Sequence, residues 1–198
     1  MASNNQGFRL LEHLTIHLLQ IGEVEEEVIN RVLANLESVF GVCRVVRSRG
    51  ETQLLQAAYN EVRRQYNAEV ILERLSKTVK PLGGADRVLA LLCVDIYAGR
   101  LNFIFGQAQC PGRFAVVSTY RLRPEFYHVE DCFLFVARVV KEVTHELGHT
   151  FGIKHCTNPR CVMCFSNSVE MVDGKNSTFC PSCQSMLWEN VRRTSFRA

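Results

Sequence analysis

The sequence predicts an α/β sandwich built on one mixed, twisted sheet of about five strands, followed by a cysteine-rich C-terminal region. Segments rich in β-branched residues alternate with amphipathic helical segments as far as residue 150, the pattern of a sheet covered by helices. Residues 88–96 are almost continuously apolar, as in a strand buried on both faces. Five of the nine cysteines fall between residues 156 and 183, where this alternation ends.

The predicted elements follow from local patterns of apolar and turn-forming residues. In residues 23–40, apolar side chains recur at spacings of three and four, glutamates crowd the N-terminal end, and Gly41 follows the last apolar position. The strands are predicted at residues 10–19, 42–46, 88–96, 101–105 and 114–119. The helices are predicted at residues 23–40, 68–79, 129–151 and 184–193, with loops at 59–65 and 156–183.

Length and composition favour a single soluble domain of the cytoplasm. The 198 residues are 47% hydrophobic, which is enough to form a buried core. The net charge of +3 is too small to indicate nucleic acid or an anionic membrane, and the longest apolar run, residues 88–94, is too short to span a bilayer. Residues 1–7 lack the pattern of a signal peptide. Because thiols stay reduced in the cytoplasm, the cysteines favour metal binding over disulfides.

The helix predicted at 129–151 carries two histidines one turn apart. With Leu147 at the centre of the core-facing side of a helical wheel, His145 and His149 lie on the opposite side, where both imidazoles reach one metal ion. Glu146 lies between the two sides, close to the metal without being a ligand. Two exposed histidines on a solvated face are the alternative explanation. The core-facing side is predicted to comprise Leu147, Val143, Val140, Val136, Phe133, Cys132 and Val129.

The continuation of this helix favours the metal site. Gly152 lies three residues after His149, and His155 follows three residues later. A straight helix does not bring His155 to the same metal, but glycine at position 152 permits the positive φ of a sharp turn. The chain then returns, and His155 becomes the third ligand of a tetrahedral zinc site. The other histidines are interpreted as structural or surface residues: His13, His17 and His128.

The stretch from His145 to His155 resembles the extended zinc signature of metzincin metallopeptidases. The resemblance implies a metzincin-like single domain and a methionine in a tight turn beneath the metal. Met163, eight residues after His155, is the candidate for this Met-turn. Met171 is the rival candidate, and ordinary core packing is the alternative explanation of Met163.

The cysteines after the third histidine form a second metal-binding pattern. Cys156 and Cys161 are separated from Cys180 and Cys183 by eighteen residues, and four thiolates in two pairs are typical of structural zinc. Two disulfides or a redox-active Cys-x-x-Cys pair are the alternatives. Cys164 is predicted to pack in the loop, although its spacing also allows it to compete for the metal. The scattered cysteines are interpreted as small buried hydrophobes: Cys43, Cys93, Cys110 and Cys132.

The combined pattern from His145 to Cys183 resembles the archaemetzincins, and the resemblance extends upstream through residues 101–106 and 116–119. It implies a zinc metallopeptidase that hydrolyses peptide bonds, with Glu146 as the general base on a zinc-bound water and with two zinc ions per chain, one catalytic and one structural. A peptide or protein is the implied substrate, of a restricted and aminopeptidase-like kind. In metzincins the substrate adds to an antiparallel edge strand, and residues 101–106 are the candidate here, although an internal strand also fits their apolar sequence.

Two regions are expected along the chain. Residues 1–155 are expected to hold the sheet and the active-site helix, and residues 156–198 a small subdomain with the four-cysteine zinc site. Because Cys156 adjoins His155, loss of Cys180 is expected to loosen both metals. The alternative function is a zinc-binding protein with little or no proteolytic activity, or a hydrolase of another amide. Glu146 favours hydrolysis, since a structural zinc needs no base.

Overall fold

The computed structural model describes residues 14–41, 44–127 and 131–195, and the elements in these ranges form a mixed sheet between helices. The strands are β1 (Thr15–Ile21), β2 (Arg44–Gly50), β3 (Tyr59–Asn60), β4 (Gln65–Asn67), β5 (Arg87–Leu92), β6 (Ile96–Tyr97), β7 (Gly106–Ala108) and β8 (Phe114–Ser118). The helices are α1 (Glu26–Phe40), α2 (Gln53–Gln56), α3 (Ala68–Thr78), α4 (Cys132–Thr150), α5 (Val169–Gly174) and α6 (Pro181–Ser195). Short 3-10 turns occur at Leu82–Gly84, Tyr120–Leu122 and Pro124–Tyr127.

The main sheet has five strands in the order β2-β1-β5-β8-β7, which confirms the predicted mixed sheet. The first four strands run parallel, and β7 pairs antiparallel with β8 at the edge. Alternate side chains of β5 enter two separate apolar clusters: Leu89 and Leu91 face α1 and α4, while Val88, Ala90 and Leu92 face α3. The central strand is therefore buried on both faces, as its continuous apolar sequence predicted.

The prediction of a strand at residues 101–105 is wrong. These residues form a loop, and the edge strand β7 begins only at Gly106. The backbone carbonyls of Leu101 and Asn102 accept hydrogen bonds from the side chain of Arg63 at 2.5 and 3.2 Å, so side chains rather than a neighbouring strand satisfy them. A local apolar pattern does not reveal such partners, because Arg63 lies 38 residues earlier in the sequence.

Two other loop predictions need correction. Residues 59–65 contain the strand β3 and the start of β4, which form a small second sheet with β6. Residues 156–183 contain the helix α5 and the first turn of α6, which begins at Pro181 because proline suits the first position of a helix. The strands β3 and β4 and the helix α5 are too short to leave a periodic apolar pattern in the sequence.

The buried side of α4 agrees with the predicted side at Leu147, Val143 and Val140 but not at Phe133. Asp131 caps the helix by accepting hydrogen bonds from the N–H groups of Phe133 and Leu134 at 2.9 and 3.2 Å. Phe133, predicted in the core, is 73% exposed, whereas Phe135 and Val139 are buried. The buried arc is centred on Val139 and Val143, because α4 packs against the C-terminal segment as well as against the sheet and α1.

Side chains of α4 hold the end of α5 against this helix. The buried guanidinium of Arg138 makes two hydrogen bonds of 2.7 Å to the carboxylate of Asp173. Lys141 donates to the carbonyls of Val172 and Asp173 at 3.0 and 2.9 Å, which neutralises the C-terminal end of that short helix. No helix among the described residues combines the length and the apolar character needed to cross a bilayer.

Candidate active site

Three imidazoles converge at the C-terminal end of α4. His145 and His149 lie one turn apart on the helix, and His155 follows in the loop after it. The ring centroids are 4.6 Å apart for the first two, 5.3 Å for His145 and His155, and 4.8 Å for His149 and His155. Potential ligand nitrogens of all three lie within 4.8 Å of one another, and we call this group the histidine triad.

A tight turn at Gly152 brings the third histidine back, as the sequence predicted. Gly152 has φ of +83° and donates from its N–H to the carbonyl of His149 at 2.8 Å, while the N–H of Ile153 bonds to the carbonyl of Gly148 at 3.2 Å. This pattern ends an α-helix and satisfies its last carbonyls. The positive φ is strained for any residue with a Cβ, so the turn depends on glycine.

The hydrogen bonds of the helical histidines direct their Nε2 atoms into the triad. Nδ1 of His145 lies 2.7 Å from the carbonyl oxygen of Val162, and Nδ1 of His149 lies 2.7 Å from that of Ile153. Because a carbonyl only accepts, both Nδ1 atoms carry the proton and both Nε2 atoms present lone pairs. These Nε2 atoms are 3.1 Å apart, an arrangement that repels unless a cation lies between them.

The triad fits a zinc ion. Burial lowers the pKa of all three imidazoles, so they are neutral and able to donate lone pairs at pH 7. Tetrahedral zinc with Zn–N bonds of 2.0–2.1 Å places ligand nitrogens about 3.3 Å apart, close to the observed Nε2 separation of 3.1 Å. His145, predicted on a free helix face, is in fact buried, because the segment after residue 155 covers it.

Glu146 lies beside the triad and against the edge strand. It is only 5% exposed, and burial raises the pKa of its carboxyl group well above the usual value. The Glu142 carboxylate, one turn earlier, raises the pKa further, whereas Lys175 lowers it. A Cβ added to Gly106 would lie 2.6 Å from Cγ of Glu146 and 2.8 Å from its Oε1. The glycine therefore allows the edge-strand backbone to approach this carboxylate.

We predict that Gly106→Ala lowers kcat by about 10- to 100-fold, because the clash displaces the Glu146 carboxylate by several tenths of an ångström or more. The zinc content and KM should change little, since the triad is not displaced. Steady-state kinetics and metal analysis of the purified variant measure both quantities. The matched control is Gly174→Ala, because a Cβ there meets nothing within 4 Å.

A second comparison separates displacement of the Glu146 carboxylate from a general defect of the edge strand. In a Glu146→Ala background the side chain lacks the Cγ and Oε1 atoms that the added methyl group would meet, so Gly106→Ala should cause no additional loss of the residual activity. An equal loss in both backgrounds would contradict the positioning role of Gly106.

Met163, the candidate for the Met-turn, packs against Gly148 between the two helical histidines. It is fully buried, and a Cβ at Gly148 would lie 2.5 Å from its Sδ. The glycine inside the His145–His149 motif thus provides room for the sulfur. Met171, the rival candidate, is exposed on α5.

Four cysteine sulfurs gather next to the triad, and all lie within 4.8 Å of one another: Cys156, Cys161, Cys180 and Cys183. We call this group the four-cysteine cluster. Its Cys156 and Cys180 sulfurs are 3.8 Å apart, far beyond the S–S bond length of about 2.05 Å. Tetrahedral zinc with Zn–S bonds of 2.3 Å places sulfurs about 3.8 Å apart, so the cluster also fits a zinc ion.

The electrostatics of the four-cysteine cluster also favour a cation. Although burial opposes ionisation, hydrogen bonds from the Cys183 backbone and from neighbouring thiols lower the pKa of Cys180 to about 7. Burial and the same neighbours raise the pKa of Cys183. Thiols this close do not all ionise together without a positive charge between them, which a metal ion supplies.

The remaining cysteines have mixed environments. The Cys164 sulfur lies outside the four-cysteine cluster, 3.7 Å from the Phe165 carbonyl, in keeping with loop packing. Cys93 is half-buried, but Cys110 is exposed, so its interpretation as a small buried hydrophobe is wrong. Cys43 lies outside the described residues, as do His13 and His128, and His17 is buried and bonded to Ser48 at 2.7 Å.

One turn connects the four-cysteine cluster to the triad. Residues 161–164 contain the cluster residue Cys161, the carbonyl of Val162 that orients His145, and the buried Met163. The carbonyl of Met163 accepts the N–H of Cys156 at 2.9 Å. A metal ion bound by the four-cysteine cluster would therefore also fix the backbone that orients His145.

A buried ion pair beside the triad was not predicted from the sequence. Nζ of Lys175 lies 2.8 Å from Oε1 of Glu142 and also donates to the carbonyl of Cys164 at 3.4 Å. Lys175 is 2% and Glu142 4% exposed. The four-residue spacing of Glu142 and Glu146 was visible in the sequence, but no local pattern indicates a lysine 33 residues away as the partner of Glu142.

A cleft of about 790 Å³ opens over the triad. The edge strand β7 borders it, together with the preceding loop and the segment after Cys164. The lining residues are Ala98, Leu101, Asn102, Phe103, Ile104, Phe105, Gly106, Gln107, Ala108, Cys110, Glu142, His145, Glu146, His149, Lys154, His155, Phe165, Ser166 and Asn167. Of the predicted edge segment 101–106, only Gly106 belongs to the edge strand.

Comparisons with known proteins match nearly the whole chain. Residues 13–189 match the model of peptidase family M54. The archaemetzincin of Methanopyrus kandleri is 45% identical over 166 residues, which cover 84% of this chain and 89% of that protein. The archaemetzincin of Thermococcus kodakarensis is 40% identical over 180 residues, covering 89% and 96%.

Solved structures agree with these matches. The crystal structure of the Methanopyrus kandleri archaemetzincin has a TM-score of 0.82, with 40% identity and coverage of 92% of this chain and 97% of that chain. The archaemetzincin of Archaeoglobus fulgidus, solved in complex with malonate, has a TM-score of 0.73, with 35% identity and coverage of 87% and 99%.

Proposed function

The chain belongs to peptidase family M54, the archaemetzincins, and is a zinc metallopeptidase; from this premise we propose that the histidine triad holds its catalytic zinc and that Glu146 is its general base. The observation that carries the proposal is the convergence of three neutral imidazoles beside one buried carboxylate. The carboxylate lies outside the group of ligand nitrogens, so it is free to exchange protons. The experiment that tests it is a peptide digest with wild type and Glu146→Gln.

Zinc held by three neutral imidazoles keeps its full charge and supplies Lewis-acid activation of water and of the substrate carbonyl. Glu146 takes a proton from the attacking water on a carboxylate oxygen and delivers it to the nitrogen of the leaving amine. Burial makes this carboxyl group a ready proton acceptor, because it raises the pKa. The backbone of β7, whose outer edge has no strand partner among the described residues, binds the extended substrate by strand addition.

A second zinc ion in the four-cysteine cluster has a structural role. Bound there, it would hold the C-terminal subdomain proposed to begin at Cys156 against the active-site helix, where the contacts of Arg138 and Lys141 already anchor α5. The Met163 side chain supports the triad from below as a Met-turn. A cytoplasmic location suits this chemistry, because the thiols must stay reduced to bind metal.

Metal analysis tests the two-site assignment. We expect about two zinc ions per chain in the wild type and about one in His145→Ala, because the variant removes a ligand of the triad and leaves the four-cysteine cluster intact. The matched control is His17→Gln, which changes a buried histidine bonded to Ser48 on the sheet. Loss of both zinc ions, or of neither, from His145→Ala would contradict the assignment.

The enzyme accepts a restricted set of peptide substrates. It removes residues from their N-terminus, as an aminopeptidase does. The cleft is about 790 Å³, which suits a short extended peptide better than a folded protein. A library of free and N-acetylated peptides, digested by the zinc-loaded enzyme, measures this preference. Equal cleavage of free and acetylated peptides would rule out aminopeptidase-like specificity without affecting the assignment of the base.

A further inference from the structure

An apolar loop borders the cleft immediately before the edge strand. Residues 101–105, Leu-Asn-Phe-Ile-Phe, all line the cleft. Leu101 is 54% exposed although its side chain is apolar. Exposed apolar side chains that are grouped in a concave site mark a surface that binds a ligand.

Polar side chains hold this loop in place from behind. The Arg63 guanidinium donates to the carbonyls of Leu101 and Asn102, and the buried amide of Gln65 donates to the Asn102 carbonyl at 2.8 Å. Gln65 also donates to the carboxylate of Asp95 at 3.1 Å. The loop is therefore fixed before any substrate arrives, which reduces the entropy lost on binding.

The aromatic side chains of the loop are fixed as well. The rings of Phe103 and Phe105 pack edge to face with centroids 5.4 Å apart. The guanidinium of Arg121 lies 4.8 Å from the Phe103 ring centroid and is itself held by Asp95 through three contacts of 2.6 to 3.1 Å. Phe105 directly precedes Gly106, so this rigid wall adjoins the backbone that approaches Glu146.

Phe165 forms a second apolar wall beside the triad. Its ring contacts the His155 ring with centroids 5.1 Å apart and an interplanar angle of 64°. It remains 46% exposed, so one side of the ring is available to a ligand in the cleft. We call the following four residues the apolar walls: Leu101, Phe103, Phe105 and Phe165.

Charge in the cleft disfavours a basic side chain at this place. Among the described residues that line the cleft, the carboxylates are Glu142 and Glu146. Oε1 of Glu142 already pairs with Nζ of Lys175 at 2.8 Å, and Glu146 is the proposed general base. A lysine or arginine side chain would therefore lose its hydration without gaining a free carboxylate.

We propose that the apolar walls form a side-chain subsite that binds a bulky apolar residue of the peptide substrate next to the scissile bond. The proposal rests on the function proposed above, because it takes the triad and Glu146 as the place of hydrolysis. It makes Leu101 and Phe165 specificity-determining residues, since each offers an exposed apolar surface within the cleft.

Peptide binding to the zinc-loaded Glu146→Gln protein tests the subsite independently of cleavage. Labelled hexapeptides carry leucine, lysine or aspartate at one position at a time in an alanine background, and fluorescence anisotropy gives each Kd. At one position, the peptide with leucine should bind about 10-fold more tightly than the peptides with alanine, lysine or aspartate, as expected for burial of one large apolar side chain. Leu101→Ser and Phe165→Ser should each reduce this preference to about 3-fold or less.

Phe133→Ser is the matched control, because Phe133 is an exposed phenylalanine of α4 that does not line the cleft. It should keep the full preference. Equal binding of the leucine, lysine and aspartate peptides would overturn the subsite, as would a preference for aspartate or lysine or one that survives both wall substitutions. If the preference is found but wild-type enzyme cleaves none of the peptides, the proposed function fails while the subsite stands.

Discussion

Glu146→Gln is expected to lower kcat by a factor of about 10² to 10⁴, the usual contribution of a general base. Glutamine has nearly the same shape as glutamate, so it fits the space against Gly106 and leaves the three imidazoles in place. It does not accept a proton at neutral pH, and the attacking water loses its base. KM and zinc content should remain close to the wild-type values, because neither depends on proton transfer.

The experiment is a digest of one peptide library by wild type and Glu146→Gln, followed by steady-state kinetics on the best substrate. Zinc content and unfolding temperature are the controls for an intact site. Equal cleavage by the two proteins would remove the assignment of Glu146 as base. A wild-type protein that cleaves nothing would instead favour the alternative of a zinc-binding protein without proteolytic activity.

The same substitution has a predictable effect on the stability of the metal-free protein. Burial raises the folded-state pKa of Glu146 above its unfolded value. The protonated form is therefore favoured in the fold, and stability is lost as the pH rises through the folded-state pKa. Glutamine mimics the protonated form, so metal-free Glu146→Gln should unfold at the same temperature as wild type at low pH and at a higher temperature at pH 7.

Cys180→Ser is expected to weaken both metal sites. The serine removes one of four thiolates, and the four-cysteine cluster then no longer holds the turn at residues 161–164. That turn carries the Val162 carbonyl, which orients His145 at 2.7 Å, and the buried Met163. Loss of such outer contacts typically costs 10- to 100-fold in metal affinity, so the catalytic zinc should dissociate at about 10- to 100-fold lower chelator concentration.

Metal analysis after dialysis against graded chelator concentrations measures this coupling. Cys164→Ser is the matched control, because it changes a cysteine of the same turn whose sulfur lies outside the cluster. It should keep about two zinc ions under conditions where Cys180→Ser keeps fewer than one. A Cys180→Ser protein with a fully loaded catalytic site would show that the triad does not depend on the cluster.

The sequence alone determined the features that depend on near neighbours along the chain. The helical repeat places His145 and His149 on one side of α4, and Gly152 permits the turn that returns His155. The spacing of the cysteines predicted a second cluster, and alternating patterns predicted the five-stranded sheet. In each case the physical cause is a local backbone geometry or an apolar period that a few consecutive residues express.

Tertiary structure decided the features whose partners are far apart in sequence. Residues 101–105 have the composition of a strand, but Arg63 and Gln65 hold them as a loop that lines the cleft. Glu142 lies one turn before Glu146, but only the fold supplies Lys175 as its partner. Long-range hydrogen bonds and ion pairs leave no periodic trace in the sequence, so the histidine triad and the four-cysteine cluster were predictable while the apolar walls of the cleft were not.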